Sequence, residues 1–443
     1  MIPRPPCECR FLALLRPCRK GEFGAGSGPS PNGEDAPIVA VPLKRYFQRS
    51  QLAGKLMRTA SAGILAVIIS AWLMTEIRAT TVPAQANMPA LPFTLTWTQG
   101  KCRNCKIADR IVDVEYVTAD EAWAVGYAPP GGDAGAGDYA TLHSRDGGKS
   151  WIEISEPWQH NEGPSISFVN ANEGWLRDVD IVAAETRLME TDDHGKSWRR
   201  LEMRDLGVKA VQNLGGGAGY GAGYDVYGKE GYLIATSDHG RHWKRLPFPQ
   251  VFSPELMYFT GRQHGVVAGC LDRHPAVIKT TDGGLHWTTT ALNLASRNSK
   301  DSTFCDVEPD SLDFLDAQHG WLLVSKHAFG LQDERGEAAA FSTNDGGATW
   351  KTVYHATFRA GQEQFYSLNF LDANLGFLAQ IGTRKAEPVG VLHYTTDGGH
   401  QWARINLPHW VSRCRRYGDA LECAAGEGGF WVLRISPSAQ PHK

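Results

Sequence analysis

Twenty consecutive apolar residues, the length an α-helix needs to span a bilayer, occur nowhere in this sequence. The longest apolar run is thirteen residues, from Ala62 to Met74. Charged stretches with helical periodicity are scarce, which argues against a helical bundle. A basic excess is missing too. The 443 residues hold 45 Lys and Arg against 48 Asp and Glu, with 11 of the basic and 5 of the acidic residues inside 1–86. The remainder carries 34 basic against 43 acidic residues, a net charge of −9 with histidine neutral. Such a surface is soluble and offers no footprint for nucleic acid, so no nucleic-acid partner is expected. The glycine-rich stretch from Gly215 to Tyr224 fits Gly-x-Gly-x-x-Gly in no register and lacks the Gly-Lys-[Ser/Thr] of a phosphate loop. No second Cys-x-x-Cys follows Cys102-x-x-Cys105 to complete a zinc site.

What is present is glycine and tryptophan, 48 and 14 residues respectively. Together with a hydrophobic content of 42%, they predict many short strands joined by tight turns.

Residues 1–86 differ from the rest. Met1 to about Lys55 is rich in Pro, Gly, Arg and Cys without a usable period. Residues 1–56 read as a disordered extension or a start placed too far upstream. Residues 57–86 read as a secretory signal: Met57-Arg58, the apolar run, then Ala84-Gln85-Ala86. An uncleaved membrane anchor is the alternative. The chain is therefore expected in the periplasm or outside the cell, with residues 87–443 forming the folded domain. Membrane association would come only through an uncleaved signal or a membrane-protein partner. Six cysteines fall in the domain: Cys102, Cys105, Cys270, Cys305, Cys414 and Cys423. An even number in an exported protein favours disulfides. Cys414 and Cys423, nine apart across a hairpin, are the candidate disulfide. Cys270 with Cys305 is a second pairing, and Cys102 with Cys105 reads as a local disulfide or as two free thiols.

One signature recurs six times. It reads Ser144-Arg-Asp146-Gly-Gly148-Lys-Ser150-Trp151, Thr191-Asp-Asp193-His-Gly195-Lys-Ser197-Trp198 and Thr236-Ser-Asp238-His-Gly240-Arg-His242-Trp243. It continues as Thr280-Thr-Asp282-Gly-Gly284-Leu-His286-Trp287, Thr343-Asn-Asp345-Gly-Gly347-Ala-Thr349-Trp350 and Thr395-Thr-Asp397-Gly-Gly399-His-Gln401-Trp402. The Asp residues are spaced 47, 45, 44, 63 and 52 apart. The chemistry is that of a hairpin corner. Asp accepts backbone N–H bonds a few residues on, Gly supplies a positive φ, and the hydroxyl bonds back across the turn. Trp then buries its ring against the strands of its own sheet. All of these residues therefore have structural work, and none is nominated as catalytic.

Upstream of each turn lies a period-two strand pair, such as Leu312-Asp-Phe314 followed by His319-Gly-Trp321. A third strand precedes each corner and a fourth follows each Trp. Four strands per repeat is the blade of a β-propeller. The third repeat looks degenerate where Gly215 to Tyr224 replaces the usual strand pair. The tail, Ser412 to Ile435, lacks a last strand, and Phe93-Thr-Leu-Thr-Trp97 supplies it, closing the ring. The expectation is an all-β, seven-bladed β-propeller of four-stranded antiparallel blades, with six or eight blades as alternatives.

The repeated Thr-x-Asp-Gly-Gly-x-x-Trp with its upstream Gly-[Trp/Phe] strand resembles the aspartate-box, or BNR, repeat. Over about residues 93–435 the chain is most similar to the photosystem II stability and assembly factor family. The resemblance implies an exported, non-enzymatic scaffold that binds a protein partner. Sialidases and xyloglucan-active hydrolases share the box, so a glycoside hydrolase or a carbohydrate-binding module is the alternative. The sialidase [Phe/Tyr]-Arg-Ile-Pro is missing: Arg110-Ile111, Arg404-Ile405 and Arg434-Ile435 are not followed by Pro. No cofactor or metal is expected, and the chain is expected to be a monomer. Asp301, Asp306, Glu308, Asp310, Asp313 and Asp316 read as a solvated acidic loop more than a calcium site. His239, His242 and His286 fill variable slots of the boxes. Trp158, Trp410 and Trp431 could form a sugar or protein platform, and packing between blades accounts for them equally well.

Overall fold

The computed structural model describes residues 91–105, 108–128, 138–154, 162–180, 185–201, 206–225, 230–272, 274–294, 308–326, 335–359, 363–384, 387–426 and 429–438. The proposed extension and signal, Trp158, Asp301, Cys305 and Asp306 lie outside them. Every element among the described residues is a strand.

β1 (Phe93–Arg103) opens the fold. Then come β2 (Arg110–Tyr116), β3 (Ala122–Ala128), β4 (Asp138–Ser144) and β5 (Ser150–Ile154), followed by β6 (Glu162–Phe168), β7 (Gly174–Asp180), β8 (Glu185–Thr191) and β9 (Arg199–Leu201). β10 (Leu206–Gly215), β11 (Ala218–Asp225), β12 (Gly231–Thr236) and β13 (Lys244–Leu246) precede β14 (Phe252–Phe259), β15 (Gly265–Leu271), β16 (His274–Thr280) and β17 (Thr288–Ala291). β18 (Glu308–Phe314), β19 (Gly320–Lys326), β20 (Arg335–Thr343) and β21 (Lys351–Arg359) precede β22 (Glu363–Phe370), β23 (Gly376–Arg384), β24 (Glu387–Thr395) and β25 (Ala403–Leu407). β26 (Val411–Tyr417), β27 (Ala420–Ala425) and β28 (Phe430–Pro437) end the chain.

Five sheets are four-stranded antiparallel meanders in sequence order, from β6–β9 to β22–β25. The sixth has the order β2-β3-β4-β5-β1-β28-β27-β26. It is two four-stranded halves joined through β1, which runs antiparallel to β28 from Phe93↔Pro437 to Gly100↔Phe430. β1 then turns parallel to β5 at Lys101↔Ser150, Cys102↔Trp151 and Arg103↔Ile152. The first strands touch in succession, β2 to β6, β10, β14, β18, β22 and β26, and β26 returns to β2. The stack thus comes round to its beginning.

Burial follows from this stacking. Second strands are covered on both faces, so they read as continuous apolar runs. β27 is buried at every position and β15 at all but its last. Fourth strands lie at the rim; β17 shows only Thr and Ala, none of them buried. Phe93 clamps the closing strand to the neighbouring sheet, meeting Phe377 at 4.9 Å and Tyr394 at 5.0 Å edge-on.

The stretch from Gly215 to Tyr224 departs from expectation. It does not replace the strand pair but forms it: β10 and β11 pair antiparallel from Leu206↔Asp225 to Gly215↔Ala218, with register shifts at Val208/Ala210 and Asn213/Gly215 and Tyr220 opposite Gln212. Gly215, Gly216 and Gly217 make the hairpin turn with φ of 79°, 59° and 77°. Within β11, glycine makes room: a Cβ on Gly219 would sit 2.3 Å from the Trp175 ring of the preceding sheet.

Phe93 is 3% exposed. Phe93→Ala is expected to cost about 3–5 kcal/mol, read by urea denaturation; a cost under about 1 kcal/mol would mean that β1 does not hold the seam.

Candidate functional site

The six Asp-Gly-Trp corners repeat one hydrogen-bond pattern. In the fifth, the Gly347 N–H donates to Thr343 Oγ1 (2.8 Å), the Thr343 hydroxyl to Asp345 Oδ1 (2.8 Å), and the Thr349 N–H to Asp345 Oδ1 (2.9 Å). The same bonds close the other five around Asp146, Asp193, Asp238, Asp282 and Asp397. Gly148, Gly195, Gly240, Gly284, Gly347 and Gly399 all hold φ between 69° and 97°. Each corner also donates an N–H to the turn between its own sheet's first and second strands: Gly147 to Asp120 O, Gly346 to Gln318 O, Gly398 to Asn374 O. Corners and first turns therefore share one face, and all first strands run towards it.

The Asp oxygens are occupied inside the corners. Hydrogen bonds from the Ser197 hydroxyl and N–H hold Asp193 at about 2. Burial pulls Asp345 the other way, but the Thr349 bonds prevail and leave it at about 2. His242 and His286 turn Nδ1 to Asp238 and Asp282, while His239 Nδ1 stands 3.6 Å from Glu173 and 3.4 Å from Glu190. Among the described residues no group of three ligands is arranged for a metal.

The tryptophans correct the sequence reading. Each ring lies between its own sheet and the preceding one. Trp198 meets Phe168 of its own sheet at 6.3 Å and Trp123 of the preceding sheet at 6.2 Å. Trp287 and Trp402 donate Nε1–H to Pro247 O (2.9 Å), just past the end of β13, and to Val353 O (2.8 Å) on β21 of the preceding sheet. The corner passes so close to that sheet that a Cβ on Gly240 would lie 2.4 Å from Leu201; the following Trp has only the gap between sheets to fill. Trp151 and Trp243 belong to clusters at the same kind of boundary, with Val432 and Trp175 respectively, and Trp350 packs near Val266.

Cys414 and Cys423 face each other across β26 and β27 and are disulfide-bonded, with Cα atoms 4.0 Å apart. Cys102 and Cys105 are also bonded to each other, as is Cys270 to a partner cysteine. Trp431 stacks on His409 at 4.3 Å, with Trp97 6.5 Å away; Trp410 is half-buried beside them.

A second set of polar residues lines the first strands. Glu115 accepts the Phe168 N–H (3.0 Å), Ser167 Oγ accepts that of Asn213 (3.3 Å), and Gln212 Oε1 accepts that of Phe259 (2.7 Å). Tyr258 donates to Phe314 O (3.2 Å), Ser311 Oγ accepts the Leu368 N–H (3.2 Å), and Ser367 Oγ accepts that of Cys414 (3.1 Å). Ser412 donates to Val112 O (2.8 Å), which returns the girdle to β2.

Where β26 meets β2 the girdle becomes ionic. Arg415 grips Asp113 with two bonds, Nε at 3.0 Å and Nη2 at 2.6 Å, and Arg413 adds a third at 3.2 Å. Burial resists ionisation of Asp113, but the two guanidiniums override it and hold the carboxyl below its usual range. Burial prevails at Glu115, 3.4 Å from Arg415, and pushes it up. Arg416 reaches past β22 to Asp313 (2.5 Å), which Asn369 also contacts at 3.4 Å. Of the sequence's acidic set, Asp313 thus enters an ion pair. Asp310 accepts from Ser325, and Asp316 caps its own turn through the Gln318 and His319 N–H groups. Nearer the start of the first strands, Glu255 accepts from Tyr224 (3.2 Å) and lies 3.8 Å from Lys209. This polar lining can bind the backbone and polar side chains of an extended chain. Asp113, Glu115 and Asp313 each face a guanidinium; Asp113 is thereby held below its usual range, whereas burial pushes Glu115 and Asp313 up.

No family model and no curated protein matches the sequence. Among solved structures, YCF48 bound to D1 peptide superposes with a TM-score of 0.51 at 16% identity, covering 79% of this chain and 99% of that one. YCF48 from Cyanidioschyzon merolae gives 0.51 at 16% identity, covering 78% and 99%. The chain shares the β-propeller fold of YCF48. A GH74 enzyme from Niastella koreensis gives a TM-score of 0.40 at 12% identity, covering 72% of this chain and 64% of that one. In propeller terms the sheets are blades, the girdle strands are the innermost ones, and the corners mark one face of the disc.

Of the girdle, sequence reasoning singled out Asp313 alone, and that as part of an acidic loop. A signal for it exists: the repeats place a polar residue three positions before the closing aromatic, as in Asp113-Val-Glu-Tyr116, Ser165-Ile-Ser-Phe168, Ser311-Leu-Asp-Phe314 and Ser367-Leu-Asn-Phe370.

Arg415→Ala strips the 4%-exposed Asp113 side chain of its bidentate partner and is expected to cost about 3–5 kcal/mol. Arg413→Ala, at a side chain 49% exposed, is expected to cost less than about 1 kcal/mol; urea denaturation of both variants measures the contrast. Stability should also fall as pH drops from about 4 to about 2, because carboxyls held low in the fold, such as Asp193 and Asp345, must take up protons. Glu422 behaves oppositely. Burial, against the pull of Arg434, pushes it up to about 7, so its contribution is present below its ordinary value and lost as pH rises through 7. Glu422→Gln is expected to flatten the stability profile between pH 4.5 and 7, measured by thermal melts across that range.

Proposed function

We infer that this chain is an exported, non-enzymatic propeller of seven blades that binds a protein partner through an extended segment of that partner. The binding face is the one opposite the Asp-Gly-Trp corners. The observation that carries this reading is the state of the axial carboxylates: Asp113 and Asp313 are held by Arg415, Arg413 and Arg416. A hydrolase needs one carboxyl free to give a proton and another to take one. A scaffold needs a rigid polar lining, and paired charges supply it. The fold relation to a YCF48 that was captured with a peptide is in keeping with this role. Export rests on the signal-like pattern at residues 57–86. An assembly or stability role for a membrane or envelope complex follows from the family resemblance of the repeats.

The test is photocrosslinking in the native cell envelope. A crosslinker replacing Lys209 or Gln364, towards the start of the first strands, is expected to trap a defined protein partner. The same crosslinker replacing Leu285, which is 51% exposed in a corner, is expected to trap none. A glycosidase panel run beside it should give no turnover; turnover of a glycan, or crosslinks only from Leu285, would overturn the reading.

A further inference from the structure

We propose that the Cys102–Cys105 disulfide is a thiol–disulfide exchange site for a protein dithiol, and that its reduction loosens the seam of the ring. The two disulfides resolved to both cysteines differ in surroundings. Cys414 and Cys423 are 5% and 0% exposed and sit in a core cluster with Phe377 and Leu392. No thiolate reaches them without opening that core. Cys102 and Cys105 are half-buried, and the residues around them, Lys101, Arg103 and Asn104, are exposed. Asn104 takes φ of 61° to turn the chain between the two sulfurs. The two cationic side chains favour the approach of an attacking thiolate and stabilise the thiolate that leaves.

Location gives the exchange a consequence. Cys102 lies opposite Trp151 in the parallel pairing that fuses the first and last blades, and both cysteines pack against the cluster containing Trp151, Ile111 and Val432. The bond encloses a very short loop, so it adds little to global stability through chain entropy. Its effect is local, fixing the end of β1 against β5.

The step balances. A donor thiolate attacks one sulfur; the Cys102–Cys105 bond breaks, and its electron pair stays on the other sulfur, which takes a proton. The donor's second thiol then attacks the mixed disulfide and releases the remaining cysteine as a thiol. The donor ends as a disulfide, having given up two electrons and two protons.

The full chain, kept native, is treated with dithiothreitol, then alkylated and mapped by peptide mass. Cys102 and Cys105 are expected to label at least about tenfold faster than Cys414 and Cys423. Equal rates, or labelling only in denaturant, overturn the exchange site. Amide hydrogen exchange follows the seam. Residues 101–103 and 150–152 are expected to exchange at least about tenfold faster after reduction, and equally fast without reductant in a Cys102→Ser, Cys105→Ser variant. Residues 421–425 should not change. Unaltered exchange at the seam overturns the structural consequence even if the cysteines label.

Discussion

An inner-strand edge that has no ladder partner is the problem this fold has to solve. Every blade begins with a strand whose inward N–H and C=O groups cannot pair within their own sheet, and buried backbone groups left unpaired are costly. The neighbouring blade answers with a side chain. Glu115, Ser167, Gln212, Tyr258, Ser311, Ser367 and Ser412 each reach across to backbone on the adjoining first strand. The register between first and second strands slips in every blade, at Ile111/Asp113, Glu162/Ser165, Val208/Ala210, Pro254/Leu256, Pro309/Ser311, Phe365/Ser367 and Val411/Cys414. A bulge adds twist and re-aims the next side chains. The repeated slip and the repeated reach belong together: the bulge turns a side chain off its own sheet and towards its neighbour.

Outside this girdle the stack is held by apolar contacts that have no direction of their own. Stacked ring pairs such as Trp123 with Phe168, Tyr220 with Phe259 and Trp321 with Phe370 join consecutive blades at centroid separations of 4.4, 3.8 and 4.0 Å. Aromatic stacking tolerates sliding more than hydrogen bonds do. The girdle therefore fixes the angle between blades, and the rings fill the space that angle leaves. At the junction where β26 meets β2, which β1 crosses from the last blade into the first, the girdle carries its densest ionic cluster, Arg415 and Arg413 both on Asp113.

The all-β class and the strand order were legible because their signals are local. A corner of eight residues holds its own hydrogen bonds, and a period-two strand carries its own pattern, so Thr343 to Trp350 can be understood without the rest of the chain. The tryptophans were given one surface, their own sheet, and have two, because the gap between two sheets leaves no trace in one repeat. Gly215 to Tyr224 reads by composition as a flexible strand or loop, and only the Trp175 ring pressed against Gly219 shows why a strand there must lack side chains. The Arg415–Asp113 pair spans 302 positions. No spacing rule reaches that far, and aligning the repeats by their closing aromatics would have exposed only the positions, not the charges that meet.

The ladder between Phe93 and Pro437 also sets an order of events. The strand made first is completed by the strand made last, so during synthesis β1 emerges with no neighbour to pair with. Contacts this distant in sequence slow folding, because a long loop must close before any bond rewards it. The intermediate blades can form as they appear, yet their terminal edges remain open until the final residues arrive. Whatever delays the arrival of Pro437 therefore delays the sealing of the whole ring.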